Sequence, residues 1–253
     1  MDLQDDLRLA VLIDAENIPY SNVKGMLEEI TRYGTPTIKR IYGDWTKRVV
    51  SGWKNVLVQN AITPIQQYSY TTGKNSSDSA MIIDAMDILY AGNIDGFCLV
   101  SSDSDFTRLA TRLRESGKKV YGIGEKKTPN SFIAACDKFI YLEIINTQAD
   151  TADAGPSEVP DENNQKHNDM AKIDRTVIKL IANSVTDLAD ENGWAFLGEV
   201  GSLILKKQPD FDSRNYGFSK LKLLIESIGK FDLDVRENTH IVLIRNKDKF
   251  KRN

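Results

Sequence analysis

Along the first 145 residues, short apolar runs alternate with stretches whose apolar side chains recur every three or four positions. LRLAVLID (7–14), TIKRIYGDW (37–45), AITPIQQYSY (61–70), GFCLVSS (96–102), KKVYGIGE (118–125) and KFIYLEII (138–145) read as strands. Helical patterns fill the intervals at 20–33, 46–60, 76–91, 104–116 and 129–136. Within 76–91, Met81, Ile82, Ala85, Ile88 and Leu89 share a helical stripe, and Ser76 or Ser77 suits the N-cap. The 104–116 stretch places Phe106, Leu109, Ala110 and Leu113 on one face and stops at Gly117. Alternating strands and helices predict an α/β domain with a mostly parallel sheet covered on both faces. Ligands of such sheets bind beyond the carboxyl ends of the strands, at the point where the strand order reverses.

The pattern breaks at residues 146–170. Large apolar side chains almost vanish there, and six acids stand against one lysine. Such a segment buries too little surface to offset its ordering entropy, so it reads as a flexible acidic linker between domains at 1–145 and 171–253. Downstream, a helix fits 171–191 through Ile173, Val177, Leu180, Ile181, Val185 and Leu188 and ends at Asn192-Gly193. Helices at 198–206 and 216–228 follow, then two short strands in FDLDV and HIVLIRN. Three helices and a two-stranded ribbon suggest a small winged helix of α+β type.

Charge and cysteine usage narrow the classes. The formal net charge is −3. Residues 171–253 hold fifteen Lys/Arg against twelve acids, a mildly basic balance that fits nucleic acid without requiring it. No apolar stretch approaches the roughly 20 residues needed to cross a bilayer, so no membrane association is expected. The acidic start MDLQDDLRLAVLID lacks the basic and apolar regions of a signal peptide. Cys98 and Cys136 lie in apolar patterns and form no C-x-x-C pair, which fits buried reduced thiols in a cytoplasmic protein better than structural zinc.

Four aspartates carry the candidate chemistry. Asp14, Asp103 and Asp105 fall at strand carboxyl ends, and Asp78 opens a helix that can reach the same crevice. Carboxylates gathered there repel one another and lose solvation, and a divalent cation is the natural partner. Mg²⁺ and Mn²⁺ prefer oxygen ligands, and such an ion can activate water against a phosphodiester. Asp78 and Asp103 also fit plain helix caps; Asp14 has no such duty. Asp84 and Asp87 lie deeper in the same helix, with Asp84 read as a supporting or ion-paired group. Asp44, in YGDW, fits a turn.

The blocks LIDAENI, IYGDW, GKNSSDSAMIIDAMDILYAG and LVSSDSDFTRLATRLRESGKKVYGIG, in this order and spacing over residues 8–143, resemble the NYN domain, a branch of the PIN-like nucleases. The resemblance implies a Rossmann-like PIN fold and a Mg²⁺- or Mn²⁺-dependent, RNA-cleaving centre built from Asp14, Asp78, Asp103 and Asp105. It implies supporting roles for Asn17, Ser101 and Ser102. A haloacid-dehalogenase-like phosphatase is the competing enzyme reading, but it requires an Asp where Glu16 stands.

The run from Trp194 to Leu233, above all PDFDSRNYGFSKL (209–221), resembles the LOTUS or OST-HTH domain over residues 172–247. That implies a winged helix that binds RNA or a protein partner. Lys206, Lys207, Arg214, Lys220 and Lys222 then become phosphate contacts, and Tyr216 a stacking platform for an unpaired base. The same side chains also fit a solvated face, and Tyr216 a core position. The terminal KDKFKRN adds sequence-independent attraction at most. The expected function is an RNA-binding, metal-dependent ribonuclease; a non-catalytic RNA-binding or scaffold protein is the alternative.

Overall fold

The computed structural model describes residues 6–46, 52–68, 76–145, 171–236 and 241–247. The expected linker at 146–170 and most of the basic tail fall outside them. The chain divides into two compact units, with the division after Pro156.

The first unit is a six-stranded, all-parallel sheet in the order β3-β2-β1-β4-β5-β6. Its strands are β1 (Arg8–Asp14), β2 (Thr35–Gly43), β3 (Thr63–Gln66), β4 (Gly96–Val100), β5 (Lys119–Gly124) and β6 (Lys138–Tyr141). The helices are α1 (Val23–Ile30), α2 (Trp53–Asn60), α3 (Ser76–Ala91), α4 (Thr107–Glu115) and α5 (Asn130–Ala135). β1 and β4 are neighbours although two strands and three helices separate them in sequence, so the strand order reverses between these two.

β1 is apolar from Leu9 to Ile13 because both faces of the sheet are covered, yet its side chains still alternate. Ala10 and Leu12 join a core with α3, α4 and α5, including Met81, Phe97, Leu109 and Phe132. Leu9, Val11 and Ile13 join the opposite core with α1 and α2, including Met26, Trp53 and Val100. The same parity carries the next residue, Asp14, to the α3 side.

Several predicted boundaries shift. The strand foreseen over 138–145 ends at Tyr141, and the chain turns helical from Leu142. The helix foreseen from residue 20 begins as a 3₁₀ turn, Tyr20–Asn22. Gly117 ends the segment after α4 in the left-handed region, φ +76°, where a Cβ would be strained.

The second unit has its own core around Ile181, Val200, Ile204, Leu224 and Ile225. It contains α6 (Arg175–Leu188), β7 (Ala195–Phe196), α7 (Leu197–Lys207), a 3₁₀ turn at Ser213–Tyr216, α8 (Leu221–Ile228), β8 (Phe231–Arg236) and β9 (Ile241–Asn246). Asp174 caps α6, accepting from the backbone N–H groups of Thr176 and Val177, both at 2.9 Å. The sheet is antiparallel in the order β7-β9-β8. The expected two-stranded ribbon therefore gains a third strand. β7 is two residues long, too short to leave a periodic signal, and it exists only by pairing with Leu243 and Ile244.

Candidate metal centre

β1 and β4 end side by side, with Ile13 beside Val100, so the residues after them enter one crevice. Ser101 comes directly after β4 and is fully buried. Its hydroxyl donates to Asp14 Oδ2 at 3.0 Å and accepts from the Asp103 backbone N–H at 3.1 Å. One serine thus ties the end of β1 to the loop that carries Asp103 and Asp105. Asn17 Nδ2 donates to the same Asp14 oxygen at 2.5 Å, and the Glu16 N–H donates to Asp14 Oδ1 at 3.1 Å. Asp14, 2% exposed, is therefore bonded on both oxygens. Burial raises its pKa even though these donors favour the charged form.

Asp78 lies in the first turn of α3, where the helix dipole favours a negative charge. Burial nevertheless pushes its pKa up to about 6, helped by the charges of Asp14, Asp103, Asp105 and Glu16. Asp103 caps a 3₁₀ turn at Ser104–Phe106 by accepting from the Asp105 N–H at 2.9 Å. Capping and gathering thus coexist in Asp103, because the cap uses one oxygen of its carboxylate.

Asp78, Asp103 and Asp105 each present a carboxylate oxygen within 4.8 Å of the others. Two oxygens bound to one Mg²⁺ stand at most about 4.2 Å apart, twice the 2.0–2.1 Å bond, so the carboxylates need to close by no more than about 0.6 Å to share one ion. Three hard carboxylate donors fit Mg²⁺ or Mn²⁺ in chemistry as well. Asp14 is not part of that trio, but among the charges acting on Asp78 its own contributes most.

Two further sets of contacts brace the crevice. Asp84 of α3 pairs with Arg40 and accepts from the Tyr42 hydroxyl, both on β2. Burial and the Asp84 carboxylate raise the Tyr42 pKa well above its ordinary value. Sequence suggested an ion pair for Asp84 but offered no partner, since Arg40 and Tyr42 lie some forty residues away. On the other side, the Glu125 N–H donates to Ser102 Oγ at 2.8 Å. Gly124 sits against the same loop, and a Cβ there would meet the Ser101 carbonyl at 2.6 Å. Asp44 is a turn residue: it accepts from the Thr46 N–H and hydroxyl and from Gln66 Nε2.

In the second unit the expected RNA contacts divide. Lys206 and Lys220 are exposed. Lys207 Nζ donates to Asp187 Oδ2 at 2.6 Å and to Ser184 Oγ at 3.2 Å. Arg214 forms a two-pronged pair with Asp212 at 2.7 and 3.0 Å, and Lys222 pairs with Glu226 at 3.7 Å. Tyr216 packs on the core beside Phe211, ring centres 6.0 Å apart.

The chain matches the family model for the NYN domain over residues 8–143 and that for the OST-HTH/LOTUS domain over residues 168–243. NYN is a nuclease-type domain and OST-HTH/LOTUS an RNA-binding one. A crystal structure of a protein of unknown function from Vibrio parahaemolyticus is 21% identical, spanning 55% of this chain and 94% of that one, with a TM-score of 0.46. A solution structure of an uncharacterized protein from Nitrosomonas europaea is 30% identical over 37% of this chain and 91% of that one, with a TM-score of 0.28. No curated protein matches the chain.

Proposed function

Because the chain belongs to the NYN domain family, we propose that it is a Mg²⁺- or Mn²⁺-dependent ribonuclease that hydrolyses RNA phosphodiester bonds. The reading is carried by the Asp78–Asp103–Asp105 trio, whose oxygens lie within 4.8 Å of one another at the reversal point of a parallel sheet. These three aspartates would hold the ion, with Asp14 beside them as the fourth member of the acidic set. The bound ion would supply charge neutralisation and an activated water for in-line attack.

The chain's own residues do the positioning. Ser101 and Asn17 orient Asp14 and oppose the effect of its burial, and the hydrogen bond from the Glu125 N–H to Ser102 fixes the loop that aims Asp103 and Asp105. The C-terminal domain, proposed to span 171–253, binds the RNA. Exposed Lys206 and Lys220 are its most accessible phosphate contacts, while Lys207, Arg214 and Lys222 would exchange or share an existing ion pair. Tyr216 would have to stack through the edge that its packing leaves open. A linker over 146–170 would raise the local RNA concentration without dictating geometry. Cys98 and Cys136 are buried free thiols with raised pKa values, in keeping with a reducing compartment such as the cytoplasm.

Incubating the full chain with single-stranded and structured RNAs in Mn²⁺ tests the proposal. Metal-dependent products are expected, lost in excess EDTA and lost in Asp103→Asn. Undiminished cleavage by that variant would sink it. A second reading, RNA binding without catalysis, is favoured by one observation: both oxygens of Asp14 are already taken by protein donors. It predicts RNA binding with no products in either metal.

A further inference from the structure

β5 carries a lysine pair at each end, Lys118–Lys119 at its start and Lys126–Lys127 just past its finish. In a parallel sheet only the second pair emerges on the edge that holds the acidic cluster. Among the described residues, the segments directly after β1, β2, β4 and β6 carry acids at Glu16, Asp44, Asp103, Asp105 and Glu143 and no cation. Among the described residues of that edge, the turn after β5 is where an approaching RNA meets exposed lysines.

That turn is built, not loose. The Glu125 N–H donates to Ser102 Oγ at 2.8 Å, and the Lys126 N–H donates to Glu143 Oε1 at 2.9 Å. The buried Thr128 donates to the Glu125 carbonyl through its N–H at 3.0 Å and its hydroxyl at 2.6 Å. The backbone is thus pinned to the Ser101–Asp105 loop and to the segment after β6, while the side chains of Lys126 and Lys127 stay exposed. Lys127 pairs with the half-buried Glu125, but its own side chain is 70% exposed, so a phosphate can reach it and share the charge. Ser102 adjoins Asp103 and Glu125 adjoins Lys126, so the single hydrogen bond between Glu125 and Ser102 links the lysine turn to the cluster loop.

We propose that Lys126 and Lys127 hold backbone phosphates of single-stranded RNA as it leaves the acidic cluster across the carboxyl end of β5, and so position the scissile bond. They are positioning residues for the ribonuclease reading, on which the proposal rests. Phosphate contacts of this kind set register without reading bases. Lysine serves as a point charge on a flexible stem.

The test compares full-length Lys126→Ala/Lys127→Ala with Lys118→Ala/Lys119→Ala, which removes the same charge from the opposite end of the same strand. With a single-stranded oligoribonucleotide in Mn²⁺, the first variant should raise KM about five- to tenfold with kcat within about twofold, and Lys126→Arg/Lys127→Arg should restore KM. The second variant should leave both constants unchanged. In an Asp103→Asn background, RNA affinity against salt should lose about 1.4 of its log–log slope in the first variant, from two contacts at about 0.7 each. An unchanged KM, or an equal rise in the control pair, overturns the proposal. If the unmodified chain cleaves nothing, the ribonuclease reading fails, and the salt slope still decides whether these lysines touch phosphate: an unchanged slope overturns the contact.

Discussion

At Asp78, burial and four neighbouring acids act in the same direction, which is why its pKa stands near 6 instead of 3.8. The folded, metal-free protein therefore binds a proton at Asp78 more readily than the unfolded chain does. Ionisation of Asp78 costs stability above about pH 6, and the cost falls away as pH drops through 6 towards 4. Asp78→Asn removes the charge, so the metal-free variant should melt higher than the parent at pH 7.5, by at most about 3 kcal/mol. Thermal melts in EDTA at pH 7.5 and pH 5 check this: the gain should shrink at the lower pH, and Mn²⁺ should stabilise the parent but not the variant. A Tm that falls in EDTA at pH 7.5 would contradict the account. Ser101 offers a second residue-scale test. Ser101→Ala removes the donor to a buried carboxylate, a loss on the order of 1–3 kcal/mol, and it also frees the Asp103 loop. Stability and Mn²⁺ affinity should fall together, measurable by denaturant unfolding and metal titration.

Among the elements, α3 decides whether Asp78 reaches the crevice, and β2 holds α3 in place through Arg40, Tyr42 and Asp84. Asp84→Ala leaves the hydroxyl of the buried Tyr42 and the Arg40 guanidinium without this acceptor. The expected cost is about 1–3 kcal/mol, with weaker Mn²⁺ binding because α3 loses its fastening. Tyr42→Phe keeps the ion pair and should cost less. Equal Mn²⁺ affinity in parent and Asp84→Ala would show that α3 is held by its apolar face alone. Gly124 tests the other side of the crevice. The Cβ of Gly124→Ala would press on the Ser101 backbone carbonyl at 2.6 Å, and backbone cannot yield cheaply. Cleavage should drop by more than stability does, since the displaced loop carries Asp103 and Asp105.

On the scale of the whole molecule, each unit closes its own core: the first around the two faces of its sheet, the second around α6, α7 and α8. Residues 1–145 alone should therefore fold and, on the proposed reading, keep metal-dependent cleavage with a higher KM and an unchanged kcat, as expected where a second unit adds concentration and not chemistry. Cleavage kinetics of the truncated and full chains decide this; a collapse of kcat would place part of the second unit in the reaction.

The apolar periodicities of 76–91 and 104–116 and the apolar runs of β1 and β4 were enough to place helices, strands and a parallel sheet, because burial on a helix stripe or a covered sheet writes itself locally into sequence. The acidic set was legible for the same reason, since strand ends and helix starts are local events. Strand order was not local, and it is strand order that sets β1 against β4 and gives Asp14 to Ser101 and Asp84 to Arg40 and Tyr42. From sequence, Asp14 stands out because a strand end has no cap to explain it. In the folded chain the oxygens that share one small sphere belong to Asp78, Asp103 and Asp105, while Asp14 is turned to its donors. Those pairings span from a few dozen to nearly ninety residues, and only packing decides which partner a buried carboxylate finds.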